Sequence, residues 1–417
     1  MVATVITISA LLLAIFGINM GVGLQSTLLG VRAGIEAFAL PMIGIIMTFY
    51  FVGYIGGSIY SPRLVNRIGH IRTFAALGSV ASAAALLHAV FIEPWTWIIL
   101  RAVTGFCLAG VVMVAESWLN HAASNSNRGG VLSTYMVVSL GAMAVGQFLL
   151  SLAPPSGANL FILVSVLLSI FLVPVMVTRS HPPPIVPTPP MSLKRLFGIS
   201  HAGIVGCFST GLINGAFWGM GAVFAQMHGM QPGEISVFMA VVIFGGIITQ
   251  WPLGKLSDHI DRRVVIIGIA FATVLTSIGL AYSGSVENVP ILLLGLLFGM
   301  ATFPLYAVSI AHVNDQLPAD EFVSASGTLL LTYGIGASFG PFLSSTAIGA
   351  LGPGGLFYYT AVVAFLLGLF SIYRLWMGNT IMPEDKDGFI AVPKTTAVSL
   401  DMAAAVISEE QDATAPD

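Results

Sequence analysis

The chain has 417 residues, 56% of them hydrophobic and 8% charged, with a net charge of −3 and a mean hydropathy of +0.94. A soluble globular protein of this length cannot cover so much apolar surface with polar groups, and the alternating, roughly ten-residue segments of a membrane β-barrel are absent. The composition leaves an all-α polytopic membrane protein, and no basic patch with interleaved aromatics points to nucleic acid.

In chain order, twelve apolar runs are predicted to span the membrane: 3–25, 38–60, 73–91, 96–119, 130–152, 158–178, 201–225, 236–254, 264–283, 289–310, 325–348 and 355–377. Each is near the roughly 20 residues that a helix needs to cross about 30 Å of hydrocarbon. The first run lacks a basic leader and ends in Asn19 and several glycines, so it is expected to be retained rather than removed as a signal. Cys107 and Cys207 lie inside runs four and seven, where they read as small buried residues with no redox or metal role. Between runs six and seven, the stretch 179–195 carries Pro182, Pro183, Pro184, Pro187, Pro189 and Pro190. Such a run cannot propagate a helix and is expected to form an extended, semi-rigid linker. After Gly378 hydrophobicity collapses into a tail expected to be mostly disordered, with a short helix near Ser399–Glu410 as the alternative. The predicted organisation is an N-terminal six-helix half (1–178), a Pro-rich cytoplasmic linker (179–200), a C-terminal six-helix half (201–377) and a cytoplasmic tail (378–417).

Orientation follows from the basic residues. With both termini cytoplasmic, thirteen of the fifteen Lys and Arg residues lie inside, Arg32 lies outside and Arg101 sits within the fourth span. Arg32 is a local conflict, because it follows the first span while the N-terminus has no basic residue; the summed bias overrides it.

The two halves are related. Leu64 and Ile68 recur as Leu256 and Ile260, Arg63 as Lys255 and Asn66 as Asp258, at an offset of 192 residues. Gly17, Ile18 and Asn19 align with Leu212, Ile213 and Asn214 at an offset of 195, and Gly146–Leu149 aligns with Gly340–Leu343 at 194. Each match is weak alone; their common spacing indicates an internal duplication.

These features resemble the major facilitator superfamily over nearly the whole chain apart from the tail. The family's loop signature between helices two and three is G-x-x-x-D-R-x-G-R-R, with an echo between helices eight and nine. The second copy here has Gly254, Asp258, Arg262 and Arg263 in register, while the first keeps Arg67 and Gly69 but departs at Pro62, Asn66, His70 and Ile71. Arg101 followed by Gly105 resembles the family's helix-four motif. The segments Glu116–Asn120, Gly215–Gly219, Gln250–Gly254 and Ala311–Asp315 look like the YcaD-like branch, a likeness that brings no substrate with it.

The resemblance implies two halves that rock around a cavity lined by helices one, four, seven and ten. On those helices the candidate cavity residues are Asn19, Asn214, Phe217, Trp218 and Tyr306, with Gln25, Cys107 and Phe303 beside them and Tyr50, Tyr54 and Tyr333 as further contributors. The plain alternatives are interhelical hydrogen bonds for the amides and packing for the rings. Glycine clusters at Gly17, Gly21 and Gly23 and at Gly211, Gly215, Gly219 and Gly221 fall on equivalent helices and suit close packing or pliability.

Intramembrane charge is the sharpest clue to mechanism, since each ion costs at least ~2.5 kcal/mol at a helix centre. Arg101 and Glu116 are separated by about 22 Å along one helix, so they cannot pair. Arg101 either attracts an anionic solute or snorkels to the outer surface; Glu116 either carries a coupling proton or pairs with Arg67, Arg72 or Arg128 at the inner rim. His312 is a second protonation candidate, with Asp315 close enough to pair with it. The gate-loop candidates are Arg67, Gly69, Arg72, Gly254, Asp258, Arg262 and Arg263. There, Asp258 facing a helix N-terminus and arginines reaching carboxylates or carbonyls would hold one state. Asn66 in place of an acid weakens any such clasp in the first copy.

The reading that combines these features is a monomeric secondary active transporter of the cell inner membrane. It moves a small amphipathic or apolar organic solute by alternating access, coupled to protons and with export favoured on family grounds. A proton-coupled uptake symporter, or a transporter-like receptor without net flux, remains the alternative. No cofactor or metal is implied: Gly254 and Lys255 are followed by Leu256, not by the Ser or Thr of a nucleotide-binding loop, and an embedded enzyme would need clustered His, Asp or Glu.

Overall fold

A computed structural model describes residues 2–123, 128–177, 191–283, 288–318, 321–377 and 395–396. The linker prolines and the tail segment Ser399–Glu410 lie outside the described residues.

Among the described residues, the membrane helices run in chain order through two halves of six, one helix of each half being interrupted once. The first half contains α1 (Val2–Ile35), α2 (Leu40–Ile68), α3 (His70–Val90), α4 (Pro94–Ala122), α5 (Arg128–Phe148, extended by a 3-10 turn, Leu149–Leu152) and α6 (Asn159–Ile170, resuming over Val173–Val177). The second contains α7 (His201–Met227), α8 (Pro232–His259), α9 (Arg262–Tyr282), α10 (Asn288–Thr302, resuming at Pro304–Asn314), α11 (Phe322–Leu351) and α12 (Gly355–Met377). Eleven are long and apolar enough to cross a membrane as they stand; a twelfth is counted if Leu193–Ile199 and α7, bent by 117° at Ser200, are taken as one span.

The linker range therefore ends differently from the extended expectation. Ser192 caps the short helix Leu193–Ile199 by accepting a hydrogen bond from the Arg195 backbone. The segment is fastened to the start of α11, where Met191 N–H donates to the Ser324 carbonyl at 3.0 Å and Arg195 pairs with Glu321 at 2.7 Å.

The repeat is visible in the packing. Within the first half α1 packs on α5, α2 on α4 and α3 on α6; within the second α7 packs on α11, α8 on α10 and α9 on α12. Between halves, α2 meets α11 and α8 meets α5, the same pairing exchanged by the duplication. Buried hydroxyls follow the same rule: Ser82 meets Ser165 at 2.7 Å across α3 and α6, while Thr360 donates to Ser277 at 3.0 Å across α9 and α12. Both members of the second pair lie 195 residues beyond those of the first.

Glycine sets the helix separations in both halves. A side chain at Gly53 would collide with the Ala102 carbonyl and one at Gly105 with the Tyr50 carbonyl, closing α2 on α4. At their counterparts Gly245 and Gly299 it would collide with the Leu296 and Val242 carbonyls, closing α8 on α10. Small residues let backbones approach this closely where lipid supplies no hydrophobic drive between helices.

The charged turns are shorter than loops. Between α2 and α3 Gly69 alone interrupts the helix, at φ +86°, a left-handed conformation that favours glycine. Between α8 and α9 the break is Ile260 and Asp261. The membrane side carrying these turns and the start of α1 is termed near, the opposite side far. Arg32 falls inside α1, not in the loop beyond it: its last turn is extended to Ile35, and the buried guanidinium donates to the Pro155 carbonyl at 3.1 Å and pairs with Glu36 at 2.7 Å.

Candidate functional site

A cavity of about 260 Å³ lies between the halves, walled by α1, α2, α4 and α5 on one side and α7, α8, α10 and α11 on the other. Asn19 on α1 and Asn214 on α7 line it from repeat-related positions. Asn214 is hydrogen-bonded to Tyr333, which also faces the cavity. Trp218 and Phe303 form an edge-to-face pair on the second-half wall, with ring centres 6.2 Å apart. Phe303 reaches that place because α10 breaks between Thr302 and Pro304, where proline cannot continue the hydrogen-bond ladder.

Two expected cavity residues stand elsewhere. Phe217 is buried within the second half against Phe238 and Phe298, with no part in the wall. Tyr306 is fully buried behind Tyr333, with ring centres 5.0 Å apart. Adjacent helical positions differ by about 100° in direction, so Trp218 faces the cavity and its neighbour Phe217 faces the core.

Arg101 reaches the cavity wall on α4, about two turns from its far end. Its guanidinium carbon lies 4.3 Å from the centre of the Tyr50 ring. The side chain is 5% exposed, and its Nε has no hydrogen-bond partner. Snorkelling is therefore not its arrangement.

Glu116, toward the near end of α4, is buried behind the cavity. Tyr135 of α5 and the tail residues Thr395 and Thr396 donate hydrogen bonds to its carboxylate. Tyr135 and Thr395 also line the cavity, so the carboxylate sits one hydrogen bond from it. The sequence pointed to none of these three donors: Tyr135 lies on a helix outside the expected lining set, and Thr395 and Thr396 lie in the tail.

The two turns are chemically unequal. In the second, Arg262 is 1% exposed; it donates to Asp315 at 2.7 Å and to Ser257 at 2.8 Å and faces Asp258 at 3.3 Å. This ties α8 and α9 to the end of α10. Asp315 thus meets Arg262, while His312 lies beside Gln316, whose side-chain amide donates to the His312 carbonyl at 2.7 Å. Asp261, not Asp258, caps α9, accepting from the Arg263 backbone at 2.9 Å and from its side chain. Partial burial pushes the Asp261 carboxyl up, but these hydrogen bonds and the charges of Arg263 and His312 outweigh it and hold the group below its ordinary value. Arg263 also donates to the Arg374 carbonyl at the end of α12, at 3.1 Å. Gly254 is buried and its carbonyl accepts from Ser257. In the first turn Arg67 and Arg72 are exposed, and His70, 192 residues before Arg262, stacks on Trp118 instead.

The halves are joined on the far side. Thr48 donates to the Ser338 carbonyl at 2.7 Å, and Gln226 to the Val31 carbonyl at 3.1 Å.

A sequence model of the Major Facilitator Superfamily matches residues 3–307 and 203–400, nearly the whole chain. The chain belongs to the Major Facilitator Superfamily. Within it, a relative from Escherichia fergusonii named as the MFS-type transporter YcaD is 27% identical over 351 residues, covering 84% of this chain and 91% of the relative. A second MFS-type transporter, from Yersinia pestis, is 28% identical over 330 residues, covering 78% of this chain and 84% of its own length. Among solved structures, a variant of the nucleoside transporter NupG superposes with a TM-score of 0.74 at 14% identity, over 88% of this chain and 99% of that one. A bacterial homologue of the human lysosomal transporter Spinster, inward-facing and occupied, superposes with a TM-score of 0.70 at 13% identity, over 91% and 97%. The protein is thus a multi-pass membrane transporter of this superfamily, and its likeness to the solved structures is one of fold.

Proposed function

We propose that the protein is a secondary active transporter that carries a small organic solute across the cell inner membrane by alternating access, with proton movement coupled through Glu116. The observation that carries the reading is the cavity's position between two repeat-related halves, hydrogen-bonded to each other on the far side, with Asn19 and Asn214 on opposite walls. Two packed bodies around a central site exchange access by rocking against each other.

The basic residues at the near-side turns support a cytoplasmic near side, with both termini there. The far-side contacts then close the outer path. Hydroxyl groups both donate and accept. A buried carboxylate held by Tyr135, Thr395 and Thr396 can therefore gain or lose a proton while its partners reorient.

The test is solute-driven proton flux in proteoliposomes carrying a pH-sensitive dye, with isotope exchange measured alongside. Proton flux that follows solute addition is the expected result. Ligand binding with no net solute movement would leave a receptor and overturn the transport reading.

A further inference from the structure

We infer that the cavity takes amphipathic monoanions, a single carboxylate on an aromatic or branched apolar body, and that Arg101 binds the carboxylate. This names the cargo of the same cavity and rests on the transport reading for its consequence, though the binding itself can be tested without flux.

Arg101 is the one charged side chain among the described residues of the wall. It is 5% exposed, and no carboxylate is paired with it among the described residues. The titratable groups that act on it or feel it are Tyr50 and His88, neither of them an acid of the carboxylate kind. The Tyr50 ring face replaces only part of the hydration that burial removes from a guanidinium. A buried cation without an anion is costly to keep, and a ligand carboxylate would complete it.

Further polar atoms on the same cavity are unfilled. Gln25 on α1 is 1% exposed, and its side-chain amide nitrogen has no hydrogen-bond partner. Ser139 on α5 has a buried hydroxyl without one. A guanidinium, an amide N–H and a hydroxyl are all donors, and a carboxylate is acceptor-only with two oxygens to share among them.

The remaining wall selects the body of the ligand. Phe51, Trp218 and Phe303 supply ring faces, and Met47, Met136 and Met143 supply adaptable apolar surface. The nearest carboxylate, Glu116, stands behind Tyr135 and Thr395, whose hydroxyls already donate to it, so an organic cation meets no acid in the described wall itself. With one cation, a dianion such as a phosphate monoester would bring a second charge into an apolar site uncompensated.

The experiment titrates purified protein in detergent with 4-phenylbutyrate and with its neutral counterpart 4-phenylbutyramide, reading heat and thermal stabilisation. The acid is expected to bind about tenfold or more tightly than the amide, as one charge-assisted contact requires. Arg101→Gln should erase the preference, and Arg101→Lys should keep part of it, because the charge stays while the planar fork is lost. Gln25→Leu provides an independent reading if the Arg101 variants fail to fold: it should weaken the acid several-fold and the amide by less, because the carboxylate is the stronger acceptor. Equal binding of acid and amide to the unaltered protein, or an undiminished preference in folded Arg101→Gln, overturns the inference. So does failure of benzoate, 4-phenylbutyrate and octanoate alike to bind at millimolar concentration. Arg101-dependent binding without flux in proteoliposomes would refute transport and leave the ligand class standing. Flux of neutral or cationic solutes with carboxylates inert would do the reverse.

Discussion

Thr396 donates its hydroxyl hydrogen to the Glu116 carboxylate, a contact across 280 residues of chain. Thr395 does the same from the cavity wall, so the tail returns to the bundle at the carboxylate beside the solute site. The replacement pair Thr395→Val and Thr396→Val removes both donors while keeping their shape. Carbodiimide labelling of Glu116, quantified by mass spectrometry, should rise at least about fivefold, the factor that corresponds to one lost hydrogen bond of roughly 1 kcal/mol. Unchanged labelling would show that the tail does not shield the carboxylate.

Glu116→Gln keeps the size and hydrogen-bonding capacity of the side chain but removes its titration. Uptake driven by a pH gradient should fall to background, while solute exchange at equal pH on both sides persists. Gradient-driven uptake at the unaltered rate would remove Glu116 from the coupling role.

The buried partner of Arg262 and its more exposed one should behave differently. Asp315→Asn leaves a nearly inaccessible guanidinium short of a charge, and about 3–5 kcal/mol of stability is expected to be lost. Asp258 has a quarter-exposed side chain 3.3 Å from the same arginine, so Asp258→Asn should cost about 1 kcal/mol or less. Its main effect should be slower exchange at nearly unchanged affinity, as suits a gate contact. Thermal melts and counterflow on both variants measure the contrast; a large loss of affinity in folded Asp258→Asn would contradict the gate role.

Gly105→Ala and Gly299→Ala force the same clash in the two halves, against the Tyr50 and Val242 carbonyls. Both should lose about 1–3 kcal/mol, the usual cost of overpacking. Only the first displaces the backbone of Tyr50, whose ring lies against Arg101. Carboxylate binding should therefore weaken in Gly105→Ala and not in Gly299→Ala, as titration of both variants would read.

Asp261 has a carboxyl held below its ordinary value, so its folded-state pKa lies below its unfolded one. Its contribution is present in full above the ordinary carboxylate range and is lost as pH falls through the depressed value. At neutral pH, Asp261→Ala should lose about 1 kcal/mol as the α9 cap is removed. The gap between variant and unaltered protein should close under strongly acidic conditions. Melts across pH measure it; a gap constant with pH would exclude the ionised cap as its source.

The helical class, the spans and the duplication were legible because each rests on a local or periodic property of the chain. Apolar run length is set by bilayer thickness, and the repeat offset places Asn19 and Asn214 in equivalent helices without any coordinate. Side-chain facing was not legible in the same way. All-round apolar helices carry little moment to distinguish wall from core, which is why Phe217 and Tyr306 were expected in the cavity and stand behind it. The turn residues misled for a related reason. Charge marks a membrane boundary, but only cap geometry tells Asp261, which starts α9, from Asp258, which lies in the last turn of α8.

By itself, the sequence determined a two-half bundle with a cation and a carboxylate within one apolar helix, since hydrophobic length, charge scarcity and internal repetition survive without knowledge of contacts. Tertiary structure alone decided what those two charges meet. Arg101 lies against a tyrosine ring because α2 packs on α4, and it shares a cavity with unfilled donors from α1 and α5, while Glu116 meets Tyr135 and two tail threonines because the chain folds back across 280 residues. Such long-range meetings depend on how helices rotate and pack against one another, and no local pattern in the chain encodes them.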